Sequence, residues 1–573
     1  MVSKAFGEQN PTQGETPVSW KTWSDGFGGI PNIVGNPDWG KLSLPLTGYE
    51  GRSAVYDLGS TATRSFTLTE NRYGTGTPSA TLQYRANTSS FLQDDVLPVW
   101  TTYTAPFSVS TRYIQVRETT TEGVYYYISS DGDDGADGLT LATAWKTLAK
   151  VNASSFSPMD SILLNRGDTW NERLILPSSG SVTGYITFSY YGDGAAPIID
   201  GTGISITWGG LVQVHDKNYI KIIGLNVINS GDFGIFCDGC SNIDIQYNTT
   251  ESTHSSGIGI WSSDNVRVNH NTVINARCVT LANGGHEESI SIAVTTNFEV
   301  GYNDVSMDGI DGYIGNEGID CKAGTQHGTV HHNYIHGYTH EGGAIYVDGW
   351  DAALTGDIDI FCNRCWGNPN GIVVNSERSG LVDNVNIYNN QVYNVYETGI
   401  GLSTTGTDGP RSNINIYHNT IYKAQYNGGA AIFISSENVS SIAVFNNITY
   451  FGRSNGQIVA DDDAVANIGV YNNLSYGSTS VSASNIELST NPGGYPTVHD
   501  NLTGDPDFVS LLTPDLHIQP ESPALDAAYS YGLATDYDGI VRPQYGGVDI
   551  GAFEINAAQV LTFDQASGTK AVI

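Results

Sequence analysis

Residues 385–390 read VNIYNN, and residues 414–419 read INIYHN. In each, β-branched residues alternate with polar ones and an Asn closes the run. Alternation at period two puts Val385 and Ile387 on one face of a strand, Asn386 and Tyr388 on the other. The pattern recurs along the chain as IDIQYN (243–248), VRVNHN (266–271), FEVGYN (298–303), VHHN (330–333), IDIFCN (358–363), IAVFNN (442–447) and IGVYNN (468–473). The closing residues are Asn248, Asn271, Asn303, Asn333, Asn363, Asn390, Asn419, Asn447 and Asn473, spaced by 23 to 32 residues. That period is too long for a hairpin and suits one turn of a solenoid. Stacked turns bring these amides above one another, where each can bond the backbone or the next Asn. A further strand occurs in each turn, as in GIGIW (257–261), GIDCK (318–322), GIVVN (371–375) and GIGLS (399–403). The pattern predicts a parallel β-helix.

The bulk composition agrees. The 573 residues include 67 Gly and 33 Tyr but 3 Met, which suits many turns and few helices. Asp and Glu number 59 against 25 Lys and Arg, a net charge of −34. Such a surface repels phosphates and anionic membranes, so nucleic acid is an unlikely partner by charge alone. No apolar run approaches about 18 residues, so no membrane insertion is expected. MVSKAFGEQNPTQGETPVSW (1–20) lacks the apolar stretch of a signal peptide. Of six Cys, four form CDGC (237–240) and CNRC (362–365), a spacing that zinc sites also use. Cys237, Cys321 and Cys365 fall where other turns place Val, Ile or Leu, so buried packing is the preferred reading.

The repeats resemble the right-handed parallel β-helix, or pectin-lyase-like, superfamily over roughly 125–555. YISSDGDDGADGLTLATAWKTLAKVN (127–152) is similar to the opening of such domains, where Trp145, Leu148 and Ala149 would share one face of a capping helix. TDYDGIVRPQYGGVDIGAFE (535–554) is similar to the closing segment of many bacterial and phage members. In the opening stretch, the Asp-rich SDGDDGADG (130–138) offers calcium-type oxygens but lacks the Glu that closes an EF-hand loop. Residues 15–120 lack the repeat. SAVYDLGSTATRSFTLTENRYG (53–74), ATLQYRANTSSF (80–91) and RYIQVRET (112–119) alternate like antiparallel strands. RYIQVR resembles the last strand of galactose-binding-like jelly rolls, which implies carbohydrate binding or docking. The expected fold class is all-β. It comprises a tail (1–14), a small antiparallel β-sandwich (15–120), a right-handed parallel β-helix of about ten turns (124–555) and a C-terminal tail (556–573).

One region breaks the ladder's habit. GNEGIDCKAG (315–324) and EGGAIYVDGW (341–350) carry Asp320, Lys322 and Asp348 on the outward face, where other turns carry Ser, Gly or Phe. Aligning inward residues places Lys322, Asp348 and Asn375 in one column, with Asp320 and Tyr346 in the next. Lys322 and Asp348 are then about 5 Å apart at the backbone, and Asp320 and Asp348 about 8 Å. Glu317, His340, Glu341, Trp350, Asp351, Glu377 and Arg378 flank them, and His286, Glu287 and Glu288 come from the preceding turn. Aromatic Tyr346 or Trp350 would stack on a sugar ring, with Arg378 and His286 as further substrate contacts. The bland alternative is a surface salt bridge, worth about 1 kcal/mol at most.

Two chemistries fit a polysaccharide substrate, with elimination placed slightly ahead. A lyase acting on a uronate needs a base and a means to neutralise the carboxylate. Lys322 serves only if its pKa is lowered, and nearby carboxylates are expected to raise it, which leaves His340 or His286. Glu317, Asp320 and Asp348 offer hard oxygen ligands for Ca²⁺, which would also bridge an anionic sugar to an acidic protein. NEGID (316–320) resembles the Asp-Asp-Gly-x-Asp calcium segment of family 9 polysaccharide lyases, departing at Asn316 and Glu317. That family's lysine lies further downstream, and this chain has no Lys from 323 to 422. The second chemistry is hydrolysis by Asp320 and Asp348, with Glu377 in reserve. The polygalacturonase pattern of Asn-Thr-Asp, Asp-Asp and Gly-His-Gly is absent. A third reading is a glycan-binding adhesin or virion fibre without catalysis. The resemblance extends to phage tailspikes, which implies an extracellular setting, on a virion or secreted, and a homotrimer.

Overall fold

A computed structural model describes residues 123–277, 288–307, 317–338, 342–351, 353–402, 409–424, 430–434, 438–450, 457–460, 466–477, 486–488, 497–512, 514–544 and 546–555, and the backbone of strands between 19 and 119. It forms two compact units. The first comprises 1–200, 216–226 and 241–248, and the second 201–215, 227–240 and 249–573.

In the first unit, the strands Ser19–Asp25, Lys41–Leu44, Gly51–Arg52, Tyr56–Arg72, Thr81–Asn87, Thr101–Thr102 and Phe107–Thr119 make one antiparallel sheet. The three strands expected from alternation are present. A facing sheet, which the expected sandwich requires, is not among the described residues. The same unit carries a parallel stack of Tyr125–Ile128, Ser161–Asn165, Ile186–Tyr191, Asn218–Ile223 and Ser241–Gln246. The short helix is Leu148–Asn152, and Leu148 and Val151 are its buried residues. Ala149 is exposed and Trp145 precedes the helix in a bridge to Ile128, so the expected face is shifted. The Asp-rich loop is used for turns and capping: Asp134 accepts from the Lys146 and Thr147 backbone N–H groups and the Thr147 hydroxyl, at 2.8, 3.0 and 2.6 Å. Both oxygens of Asp134 are thereby occupied by protein donors.

In the second unit, parallel strands stack turn upon turn into three sheets. One runs from Gly210–His215 through Phe233–Asp238, Ile258–Trp261, Glu288–Ala293, Glu317–Lys322, Gly343–Asp348, Asn370–Asn375 and Ile400–Leu402 towards Ile486–Leu488. The predicted all-β parallel solenoid is what the chain forms, with about ten turns. Ile319, Cys321, Ile345, Val347, Ile372 and Val374 point inward and are wholly buried. Each buried aliphatic side chain contributes about 1.5–3 kcal/mol. Cys237 and Cys365 are likewise buried free thiols, as packing residues should be. Among the described residues no helix is long and apolar enough to cross a membrane.

The Asn ladder forms. From Asn271 to Asn473, each backbone N–H and each side-chain amide donates to the Oδ1 of the next ladder Asn, at 2.9–3.1 Å. The last acceptor is Asn501, one turn beyond the predicted series. The residue before each ladder Asn, such as Tyr302 (φ 57°) or Asn389 (φ 52°), is left-handed. That conformation costs about 1–2 kcal/mol in a non-Gly residue and persists because the buried amide bonds oppose it. A second ladder, of hydroxyls, follows the site strands. Thr325 Oγ1 donates to Lys322 O (2.7 Å), and Thr355 Oγ1 donates to Asp348 O (2.9 Å) while accepting from Gly324 N (3.0 Å).

Candidate functional site

The outward columns are paired as the alternation predicts. Lys322 lies opposite Asp348, and Asp348 opposite Asn375; Asp320 lies opposite Tyr346, and Tyr346 opposite Val373. One turn earlier Ser291 and Ala293 occupy the same columns, and Glu288 lies opposite Glu317. The expectation that these side chains are solvent-exposed is overturned. Asp320 is 3% exposed, Asp348 2%, Tyr346 7% and Asn375 0%. The charged groups pack on one another, and the stretches that follow the Gly343–Asp348 and Asn370–Asn375 strands are bonded together. Gly380 N donates to Gly349 O (3.1 Å) and Ser376 Oγ to Gly380 O (2.7 Å). A Cβ on Gly380 would lie 2.3 Å from the carbonyl oxygens of Asp351 and Gly349, so only Gly permits this closure.

The chemistry follows from that burial. Lys322 Nζ contacts Glu288 Oε1 and lies 3.0 Å from Asp320 Oδ2. The other oxygens of this pair, Asp320 Oδ1 and Glu288 Oε2, are buried with no hydrogen-bond partner among the described residues. Burial, then the charges of Glu317, Asp348 and Glu377, push the Asp320 carboxyl well above its usual range. Glu317 is pushed up to about 8 by burial and by Glu377 and Asp348, against the opposing charge of Arg277. Asp348 is pushed up to about 7, by burial first and Glu377 second. Lys322 is lowered to about 8 because burial outweighs the carboxylates that oppose it, contrary to the expected sign.

The half-buried Glu377 sits at the rim of this cluster. Its backbone N–H donates to Asp348 Oδ1 (3.1 Å), and the Tyr346 hydroxyl donates to Glu377 Oε1 (2.9 Å). Asn375 Nδ2 donates to the Tyr346 hydroxyl (2.6 Å), and buried Arg411 donates to Asn375 Oδ1 (3.3 Å). Arg378, exposed, lies 3.9 Å above the Trp350 ring. The structure therefore brings together Glu317, Asp320, Lys322, Tyr346, Asp348, Trp350, Glu377 and Arg378. His286, Glu287, His340 and Glu341 lie outside the described residues. Among the described residues no three His, Cys, Asp or Glu side chains are arranged to hold a metal ion. Sequence reasoning missed Arg277 and Arg411, which stand before and after the cluster in the chain with no motif to flag them. It also missed Thr325 and Thr355, whose recurrence after each site strand was a readable signal.

No protein-family model matches the chain, and no curated protein matches it. Solved structures of similar architecture include a pectate lyase at 16% identity, covering 76% of this chain and 97% of that one with a TM-score of 0.43. A GH136 lacto-N-biosidase from Eubacterium ramulus is 14% identical over 66% and 67% of the two chains, TM-score 0.38. A surface adhesin of Streptococcus pneumoniae is 14% identical over 58% and 85%, TM-score 0.41. A lyase, a glycosidase and an adhesin share this likeness, so it assigns no reaction to the chain.

Proposed function

We propose that the chain is a polysaccharide-cleaving enzyme in which Asp348 and Glu377 carry out acid-assisted hydrolysis of a glycosidic bond. The observation that supports this most is the Asp348–Glu377 pair. One carboxyl is buried and pushed up to about 7, and the other stands beside it at the rim. Paired carboxyls in unlike environments divide the roles of acid and base. Asp348 holds a proton near neutrality and gives it to the glycosidic oxygen as the bond to the anomeric carbon breaks. Glu377, oriented by the Tyr346 hydroxyl, activates the water or attacks the carbon. Trp350 and Arg378 form the flank on which a sugar ring rests. Asp320, whose Oδ2 lies against the Lys322 ammonium, is a positioning residue. It holds Lys322, whose charge, with that of Arg378, opposes the rise that burial and Glu377 impose on Asp348.

One observation favours β-elimination instead. Lys322 is lowered to about 8, within reach of general-base work on a uronate. Its Nζ is held by Glu288 and Asp320, which is why hydrolysis is put first. The test is a panel of neutral and uronate polysaccharides, with and without EDTA. New reducing ends without ultraviolet absorbance support hydrolysis. Absorbance from an unsaturated uronate supports elimination, and its loss in EDTA supports Ca²⁺ at Glu317, Asp320 and Asp348. Silence on every polysaccharide would sink both and leave a glycan-binding surface. An extracellular setting and a homotrimer belong to the same proposal.

A further inference from the structure

The sheet that carries the acidic cluster begins, in the second unit, with an aromatic platform. Trp208 is 56% exposed, although its ring meets Trp261 at 5.4 Å and Phe233 and Phe236 at 5.9 Å, all edge-on. Phe233 and Phe236 stack at 4.3 Å beneath it. A large indole held this firmly yet left over half open presents a rigid apolar face to solvent. Beside it stand His215 and Asp238, paired at 3.4 Å with side chains 61% and 31% exposed. An aromatic face rimmed by exposed hydrogen-bonding groups suits a sugar ring, apolar on one side and hydroxylated at its edge.

Register places this platform relative to the site. His215, Asp238, Trp261, Ala293, Lys322 and Asp348 form one column across successive strands. Trp261 is three strands from Asp348, or about 14 Å. We propose that Trp208 and Trp261, with His215 and Asp238, form a distal subsite for a neutral pyranose ring of the glycan cleaved at Asp348 and Glu377, so that the glycan runs along the solenoid axis. A neutral ring is specified because Asp238 would repel a uronate carboxylate. The proposal rests on the reading of the Asp348–Glu377 site only for where the glycan leads; ring binding at Trp208 stands apart from it.

Electrophoresis through gels containing xylan, galactomannan, β-glucan or polygalacturonate reads the subsite without catalysis. The wild type and Asp348→Asn should both be retarded by at least one neutral polysaccharide. Trp208→Ala should weaken that retardation about tenfold, the size of one stacking contact, and Trp208→Phe should retain most of it. On a polysaccharide that is cleaved, Trp208→Ala should raise KM about tenfold with kcat unchanged, and leave a short chromogenic glycoside unaffected. Equal retardation of wild type and Trp208→Ala, retardation by polygalacturonate alone, or retardation by none overturns the subsite. Unimpaired cleavage by Asp348→Asn overturns the catalytic reading and leaves the subsite result intact.

Discussion

The second unit buries two groups of acids around a basic residue, and they are built on opposite principles. In the closing segment, Asp536, Asp549 and Glu554 surround Arg542, and all four are nearly enclosed. Every carboxylate there is fed by backbone donors. Asp536 accepts from Asp538, Ile540 and Glu554 N–H groups at 2.7–3.0 Å, and Asp549 from Asp526 and Ile555 at 2.7 and 2.8 Å. Glu554 accepts from Gln544 and Asp549 N–H groups, both at 3.0 Å, and from Arg542 at 3.3 Å. Arg542 also donates to the carbonyls of Asp549 and Gly551, each at 2.8 Å. Around Lys322, by contrast, Asp320 and Glu288 each keep an oxygen with no partner among the described residues. A raised pKa does not separate the two, since Asp549 and Asp348 are both pushed to about 7. The donors do: the closing carboxylates are each met by backbone N–H groups and form a clasp, with only Arg542 Nε lacking a partner among the described residues, whereas two carboxylate oxygens of the solenoid-face group lack one there, a condition more common in active sites than in structural networks.

The contrast is broken most directly by substitution. Asp348→Asn and Glu377→Gln should each lower kcat/KM by about 10²–10⁴, the usual worth of a general acid or base, in reducing-end assays. Neither should lower the melting temperature, and Asp348→Asn should raise it above pH 7 by removing a buried charge. Arg542→Met should do the reverse. It strands Glu554 among buried acids, at about 3–5 kcal/mol. Thermal melts should show that loss while activity per folded molecule persists. If Arg542→Met abolished turnover in folded protein, or Asp348→Asn unfolded the chain, the division into clasp and site would be wrong.

Acidity sharpens it further. Asp348 and Glu317 hold protons in the folded chain to about 7 and 8, but release them near 3.8 and 4.5 when unfolded. Their contribution is full below those lower values and is lost as pH rises through the folded ones. Stability should therefore fall between about pH 4 and 8, and Asp348→Asn should flatten part of that fall. Activity carries a separate sign. With Asp348 as acid it should decline as pH rises through about 7. With Lys322 as base it should climb through about 8. A pH–rate profile distinguishes the two.

These features were unequally legible in the sequence. Period-two alternation and the closing Asn were enough to place Lys322, Asp348 and Asn375 in one column, because parallel pairing fixes neighbours once the inward residues are known. Burial of that column was not legible. It goes with contacts such as the close approach of Gly349 and Gly380, which periodicity does not announce. The sign of the Lys322 shift was missed for the same reason, since an exposed lysine beside acids rises and an enclosed one falls. Arg277 and Arg411 went unread because no spacing rule marks a buried Arg outside the site strands. In the first unit, alternation found strands at 56–72 and 107–119, but a strand pattern does not say which sheet, if any, faces them.

The smallest expected effect joins the ladder to the site. Thr355 Oγ1 bridges Asp348 O and Gly324 N, tying the end of one site strand to the corner after the previous one. Thr355→Val keeps the shape but removes the hydroxyl from that carbonyl and from the part-buried Gly324 N–H, at about 1 kcal/mol for each bond lost. That is less than the loss expected at Arg542, because no charge is stranded. The peptide that follows the Asp348 side chain loses its tether, so kcat should fall severalfold with KM unchanged. Thr355→Ser restores the hydroxyl and should recover both readouts. A purely structural hydroxyl would lower the melting temperature alone. Coupled loss and coupled rescue would show that the site's geometry is held from the solenoid's corner, whereas the clasp needs no such tie to turnover.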